Sequence, residues 1–364
     1  MDKGFFVPRK MEEKLIDILT EATKEKKLNL GLFLDKYVLW WYDDRENERK
    51  CNLDVQLSLL KKIIDEPNDV RNLLTNSNIR GRKFREKMIK DVRLSISSDF
   101  IPIPLKDKAD NFYKKKMDHL LDILSQIGFH IEYLPDRRSG LTLNWRLAIN
   151  LGAASVYETS LLFHRNYPVP YIPGSAVKGV TRHWAILRFF EEAKCENWEE
   201  ISCVEKILEN ASEEDVKLPL EKFQEKYTFK EDKKKIKPSE KLCYFFKQNY
   251  KKIKEIQEIF GTQGKKGEVI FFDALPIIEQ KNDFIVLDVM NVHYKPYYEK
   301  GETPGDWHNP TPIFFLAVEK GTKFRFALAS KSENLVKKAK ELLKEAVKKI
   351  GIGAKTSAGY GYFK

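Results

Sequence analysis

The stretch Tyr171-Ile172-Pro173-Gly174-Ser175-Ala176-Val177-Lys178-Gly179 opens an amphipathic run, Ser175–Ala193, with Val177, Val180, Trp184 and Leu187 on one side. Apolar residues at three- and four-residue intervals predict a helix there. Proline followed by glycine sets a tight turn in front of it, and Ser175 is placed to cap it. Free backbone N–H groups at such a terminus, together with the helix dipole, make an anion site. Lys178 and Arg182, four residues apart, share a face of the helix. The group Gly174, Ser175, Lys178 and Arg182 is therefore a candidate phosphate-binding set that reads no base. Taken alone, the stretch reads more readily as an ordinary Pro-Gly turn and N-cap.

On either side the pattern is that of strands. Leu141–Leu151 alternates through Leu141, Leu143, Trp145, Leu147 and Ile149, as a half-buried strand should. Val269–Phe272, Phe284–Val292, Phe314–Val318 and Lys323–Ala329 also predict strands. Asn334–Ile350 predicts a second amphipathic helix on the stripe Leu335, Ala339, Leu342, Ala346 and Ile350, and Tyr360–Phe363 a short closing strand. With insertions set aside, the order is β–α–β–β–α–β. That predicts an α+β fold with a ferredoxin-like (RRM-like) core. The core would occupy residues 140–364, interrupted at about 195–257 and 284–312. Residues 1–139 read as a mainly helical N-terminal region, with periodic runs at Met11–Lys27, Asn52–Asp65, Phe84–Leu94 and Asn111–Ile127; Leu28–Tyr42 fits strand or helix.

At 364 residues the chain is long enough for about two domains, or one with large insertions. Its net charge of +11 favours a polyanionic partner. No apolar run reaches the roughly 18 residues needed to span a bilayer, and Met1–Pro8 lacks a signal-peptide core; a cytoplasmic protein with no membrane partner is expected. The Lys/Glu bias points to a thermophilic source. Cys51, Cys195, Cys203 and Cys243 contain no Cys-x-x-Cys pair, so free buried thiols are expected, and neither a metal nor another cofactor is indicated. The charge is unevenly spread. Residues 191–215 hold ten acids against two lysines, and residues 222–254 twelve lysines against four acids. Tyr227, Phe229, Tyr244, Phe245 and Phe246 interleave with that lysine run, which fits either an RNA-tracking surface or, as favoured here, a solvated helix pair with buried aromatics facing the acidic segment. Arg80–Arg93 is a second basic stretch, with better prospects of touching RNA.

The C-terminal segment Gly351-Ile352-Gly353-Ala354-Lys355-Thr356-Ser357-Ala358-Gly359-Tyr360-Gly361 is the second constellation. Glycines allow close backbone approach, and Lys355, Thr356 and Ser357 supply donors to phosphates. It is not a nucleotide P-loop, because alanine stands directly before the lysine and the segment follows a helix instead of opening one.

Together these two constellations resemble the signatures of the RAMP superfamily of CRISPR RNA-binding proteins: the "IPGS-x-x-KG" element at Ile172–Gly179 and the glycine-rich loop at Gly351–Gly361. Phe260-Gly261 followed by Gly267–Ala274 is a third match, and the likeness covers roughly residues 140–364. Within the superfamily, Asp288–Tyr294, Tyr297-Tyr298 and Pro304–Pro312 resemble the subunit-six family of the Cmr (type III-B) complex, as do Asn29–Leu32 and Asp35–Tyr37. The resemblance implies a backbone-type subunit near the 3′ end of the guide, with guide (CRISPR) RNA, target RNA and other Cmr complex subunits as partners. It places the RNA-binding residues at His164, Arg165, Gly174, Ser175, Lys178, Arg182, Gly353, Lys355, Thr356, Ser357 and Gly359.

The superfamily also contains nucleases. Target-slicing members use an aspartate between the first strand and the IPGS turn, whereas here Gly152–Tyr171 contains only Glu158 as a carboxylate. Guide-processing members use a histidine as general acid or base, and His164 is the candidate for that role. His183, beside Trp184, reads as structural. The sequence therefore predicts a non-catalytic RNA-binding subunit, with a guide-processing endonuclease using His164, or a pure protein-interaction scaffold, as the alternatives.

Overall fold

The computed structural model describes residues 41–43, 48–50, 95–96, 112–153, 159–164, 169–231, 234–277 and 285–364. The helices expected at Met11–Lys27, Asn52–Asp65 and Phe84–Leu94, and the basic stretch Arg80–Arg93, lie outside the described residues. In chain order come strands β1 (Trp41–Asp43), β2 (Glu48–Lys50) and β3 (Ser95–Ile96), helix α1 (Phe112–Gln126), strands β4 (His130–Leu134) and β5 (Leu141–Thr142), and helix α2 (Gly174–Glu192). A mainly helical block follows: α3 (Ile201–Asn210), α4 (Glu213–Val216), α5 (Leu220–Tyr227), the hairpin strands β6 (Phe229–Glu231) and β7 (Lys234–Ile236), α6 (Glu240–Gln248) and α7 (Tyr250–Phe260). The chain returns through β8 (Ile270–Phe271), β9 (Leu275–Ile277), β10 (Ile285–Val292), α8 (Lys295–Lys300), β11 (Thr311–Val318), β12 (Lys323–Ser330) and α9 (Glu333–Lys349).

The fold is α+β, and β12 is its centre. Every residue of β12 after Lys323 is buried, as expected of a strand with neighbours on both edges. Leu328 stands between Glu132 of β4 and Phe271 of β8, and Phe324 between Leu141 of β5 and Pro276 of β9, all antiparallel. Phe324, Phe326 and Leu328 join Val177 of α2 and Leu335, Val336, Ala339, Leu343 and Val347 of α9 in the main core. Arg325 alternates to the other face, where it is buried and donates to Asp118 of α1 (2.8 Å) and to the Arg137 carbonyl (3.0 Å).

The sheet thus reaches back across residue 140: β4 is a sheet strand and α1 is tied to β12 through Arg325. At the other end, the strand expected at Tyr360–Phe363 is absent. Four glycines with positive φ (Gly351, Gly353, Gly359, Gly361) break it up, leaving a single bridge between Phe363 and Leu143. The strand expected over Leu141–Leu151 is likewise reduced to β5 and bridges at Leu143, Leu147 and Ala148.

β10 and β11 pair along their whole length, from Ile285↔Val318 to Val292↔Thr311. The inner half is buried on both faces, with Ile285, Leu287, Leu316 and Val318 in the main core and Val286, Phe315 and Ala317 packed with Ala148. The outer half is not: Val289 and Asn291 are exposed. The protruding part of the expected 284–312 insertion is therefore residues 293–310, carrying the exposed Tyr298 and Trp307.

The 195–257 insertion has its own core, built on the Cys203, Val204, Ile207 and Leu208 stripe of α3 and the buried rings of Phe223, Tyr227 and Phe246. Its aromatics are thus mostly interior, and several of its lysines face carboxylates, as in Lys226–Asp215 (2.6 Å) and Lys241–Glu196 (2.8 Å). Burial alone would raise the Asp215 carboxyl, but bonds from Lys226, Tyr227 and Ser212 outweigh it and hold the group at about 2. Cys203 and Cys243 are buried free thiols, and Cys195 is a half-buried one. No helix among the described residues is long and apolar enough to cross a membrane.

The Arg325–Asp118 pair gives a direct test of this layering. Asp118→Ala leaves a guanidinium buried without its carboxylate, and should lower unfolding stability by about 2–4 kcal/mol in urea titrations. Asp122→Ala, at the exposed Arg137–Asp122 pair, should change it by less than about 1 kcal/mol.

Candidate nucleic-acid interface

The Pro-Gly turn is built as a weld between α2 and the β8–β9 corner. Pro173 holds the N-cap position with φ −58°, and the helix begins at Gly174. A side chain at 174 would bring a Cβ to 2.2 Å from the Phe271 carbonyl oxygen, so only glycine fits. Ile172 and Ala274 exchange both backbone hydrogen bonds (3.0 and 2.8 Å). The Gly174 N–H donates to Asp273 Oδ1 at 2.7 Å. Two expectations are corrected here. Ser175 does not cap the helix, because it lies inside the first turn and no side chain caps Pro173. And the first anion position of this terminus is filled from within the chain by Asp273, whose negative charge complements the helix dipole.

Lys178 is half-buried and Ser175 exposed on α2. Arg182 shares their helix but is turned to α3, where it donates to Glu205 (2.7 Å) and Glu209 (2.6 Å). Its charge is neutralised by the insertion, which removes it from the phosphate-binding set. His164 donates its backbone N–H to the Val169 carbonyl, and its ring packs edge-on against Tyr171 at 5.3 Å. Burial pushes its pKa down, partly opposed by the Asp273 charge. Arg165 lies outside the described residues.

The glycine-rich segment lies flat against the strand that opens the core. The Ala354 N–H donates to the Ala148 carbonyl (2.7 Å), Gly361 to Arg146 (2.8 Å), and Ile352 to Gly361 (2.9 Å). A Cβ at Gly353 would meet the Ala148 oxygen at 2.5 Å, and one at Gly361 the Ile352 oxygen at 1.9 Å. Lys355 adopts the left-handed conformation (φ 59°) and carries its ammonium 5.4 Å above the Phe315 ring. Thr356–Ala358 form a 3-10 turn that leaves Ser357 and Gly359 exposed. The Tyr360 hydroxyl donates to Asp288 Oδ2 (2.6 Å), which also receives Arg146 (2.8 Å). Burial, then the bond to Asp288, pushes the Tyr360 hydroxyl up to about 12. This network ties the segment to the base of the β10–β11 hairpin.

The two motifs, Gly179 and Gly351 being 172 positions apart in the chain, line one cleft of about 510 Å³. Pro173 contributes from the N-cap of α2, Ala176, Val180 and His183 from the helix, and Gly351, Ile352, Gly353 and Thr356 from the C-terminal segment. Asn150, in the left-handed region at φ 62°, also lines it. Of the residues predicted from sequence, Gly353 and Thr356 line the cleft itself, and Ser175, Lys355 and Ser357 are chain neighbours of lining residues; Lys178 shares the other face of α2 with Arg182. His183, read as structural, is exposed and lines the cleft. The spacing 173, 176, 180, 183 was the available signal for it, since it marks one helix face. Asn150 gave no such signal, and Asp273 was marked only as part of the Gly267–Ala274 match. Among the described residues, no group of three or more His, Cys, Asp or Glu side chains is arranged to hold a metal ion.

Residues 139–364 match the RAMP superfamily, and the chain belongs to it. It is 33% identical over 365 residues to the CRISPR system Cmr subunit Cmr6 of Pyrococcus furiosus, covering 96% of this chain and 98% of that one. A shorter similarity, 33% over 109 residues, links it to Cmr6 of Saccharolobus solfataricus, covering 30% and 36% of the two chains. In fold it is similar to a chain of a Type III-B Cmr-beta assembly solved with cognate target RNA (TM-score 0.54, 19% identity, covering 97% and 96%).

The weld at the C-terminus can be tested by two glycine substitutions. Gly361→Ala meets both a positive φ and a backbone oxygen and should cost at least about 2 kcal/mol. Gly359→Ala, at φ 88° with nothing within 4 Å, should cost only about 1 kcal/mol. Thermal unfolding of the two variants distinguishes them; equal losses would contradict the backbone approach described.

Proposed function

We propose that this chain is a non-catalytic RNA-binding subunit of a type III-B CRISPR (Cmr) ribonucleoprotein effector complex acting in antiviral defence. In this reading it grips the guide RNA near its 3′ region, the target RNA, or both, and contacts neighbouring Cmr subunits in the cytoplasm. The observation that carries the reading is the meeting of the Pro-Gly turn and the glycine-rich segment across one cleft. Its support from relatives is the full-length likeness to a Cmr6. We also read the core as the ferredoxin-like, RRM-like arrangement, because α2 and α9 pack together on one face of the sheet around β12.

The non-catalytic part of the proposal rests on the described residues lining the cleft, among which there is no carboxylate. His183 stands there with Asn150 and Thr356, neither of which titrates. Acid–base cleavage of RNA calls for a proton acceptor and a proton donor acting in concert, and among the described residues the lining offers one titratable group. Pure protein incubated with guide and target RNA, with and without divalent metal, should leave both intact. Cleavage that is lost in His164→Ala or His183→Ala would overturn this part.

Phosphate contacts are assigned to Lys178, Lys355, Thr356 and Ser357. Binding of single-stranded RNA should weaken with salt at a log–log slope of about −0.7 per phosphate neutralised. Lys178→Ala and Lys355→Ala should each make the slope shallower by about 0.7, whereas Arg182→Ala, already ion-paired, should leave it unchanged. Unchanged slopes in both lysine variants would contradict the assignment.

A further inference from the structure

One face of the 195–257 insertion carries lysines that the chain does not neutralise. Strands β6 and β7 form a hairpin in which Phe229 stands opposite Ile236, and Lys230 opposite Lys235. Phe229 and Ile236 pack against the insertion's core. Side chains alternate across a strand, so the next pair, Lys230 and Lys235, stands on the outward side. Both are exposed, as is Lys237 one residue beyond the strand. Lys226, Lys241 and Lys252 are held by Asp215, Glu196 and Glu192. Lys230, Lys235 and Lys237 have no carboxylate partner among the described residues.

Like charges directly opposite each other destabilise a hairpin, and a two-stranded hairpin is marginal by itself. This one is fastened from behind. Lys206 Nζ donates to the Thr228 carbonyl (2.9 Å), Cys203 Sγ to the Ile236 carbonyl (3.3 Å) and Gln224 Nε2 to the Pro238 carbonyl (2.8 Å). The mount holds two ammonium groups on one face, and an anion between them relieves their repulsion. The residue type points to the kind of anion. Lysine is depleted at protein–protein interfaces, where aromatic side chains, methionine and arginine concentrate. Its ammonium is a flexible, strongly hydrated point charge, suited to phosphate without geometric selection. Residues 228–237 hold five lysines against two acids, so the whole hairpin is basic.

We propose that the outward face of the β6–β7 hairpin is a second, separate contact for the phosphate backbone of the bound RNA, made by Lys230, Lys235 and Lys237. It is independent of the α2 turn and the glycine-rich segment. This rests on the RNA-binding reading above and deepens it. Contacts of this kind position a strand and carry no sequence information. The insertion is then an RNA-holding arm of the subunit as well as the block that neutralises Arg182.

The test uses the full chain and fluorescently labelled single-stranded guide RNA, with binding followed across a salt series. The triple variant Lys230→Gln, Lys235→Gln, Lys237→Gln removes three phosphate contacts and should make the log–log slope shallower by about 2. The matching triple arginine variant keeps the charges and should keep the slope. Thermal unfolding of the glutamine variant should be unchanged or shifted upward, because a like-charge pair has been removed; a changed slope is then not a folding defect. Saturating guide RNA should also protect Lys230, Lys235 and Lys237 from acetylation, read by mass spectrometry. A folded glutamine variant with the wild-type slope, or lysines that stay fully reactive under saturating RNA, overturns the hairpin site. Protection that needs other Cmr subunits and not RNA overturns it too, in favour of an acidic protein surface. A slope that changes in Lys355→Ala but not in the glutamine variant keeps the RNA-binding reading and rejects the hairpin. If wild type binds no RNA, the reading itself fails, which is a distinguishable result.

Discussion

Main-chain hydrogen bonds hold the glycine-rich C-terminus against the stretch that opens the core, Ala354 to Ala148, Gly361 to Arg146, Asn144 to Tyr362 and Lys364 to Thr142, while Ile352 to Gly361 closes the segment on itself. Side chains at 353 and 361 would lie inside the van der Waals radius of a carbonyl oxygen, so the contact exists only because those positions are glycine. Everything at the candidate interface follows from that approach. It places Thr356 and Ile352 across from α2, forms one wall of the cleft, and delivers the Tyr360 hydroxyl to Asp288 on β10. The terminal segment, the first core strand and the hairpin base are thereby one unit.

The other wall depends on Asp273. By accepting the Gly174 N–H it fixes where α2 begins, and it does so from 99 residues away in the chain. It also sets the electrostatics, because a carboxylate at the terminus satisfies the dipole and leaves little there for an incoming anion. The net charge of +11 is therefore not a map of the site. Arg182, Lys226, Lys241 and Lys252 are all paired with carboxylates of the chain's own helices and loops.

Much of this was legible in the sequence. The stripe of α9, the strands β10, β11 and β12 and the Pro-Gly turn are readable because each follows local periodicity or turn chemistry. The α+β class follows from their order. Other features were not readable because they are decided by distant partners. Strand β4 carries Glu132 in its middle, which looks solvent-bound until Lys340 of α9 reaches it at 2.8 Å. Arg182 looks available on its helix because the sequence does not show that Glu205 and Glu209 face it. The closing strand expected at Tyr360–Phe363 failed because the glycines that suit the terminus to close packing also break a ladder. His183 was placed inside by its neighbour Trp184, although the two point to different faces of α2: Trp184 donates to Glu345 of α9 and is buried, and His183 faces the cleft.

The central claim is that RNA contacts this chain where the two motifs meet. Photo-cross-linking of the assembled ribonucleoprotein with 4-thiouridine-bearing RNA, followed by mass spectrometry of the adducts, tests it most directly. The account predicts adducts on the peptides carrying Pro173–His183 and Ile350–Thr356. RNA cross-linked efficiently elsewhere on the chain, with both of those peptides recovered unmodified, would contradict it.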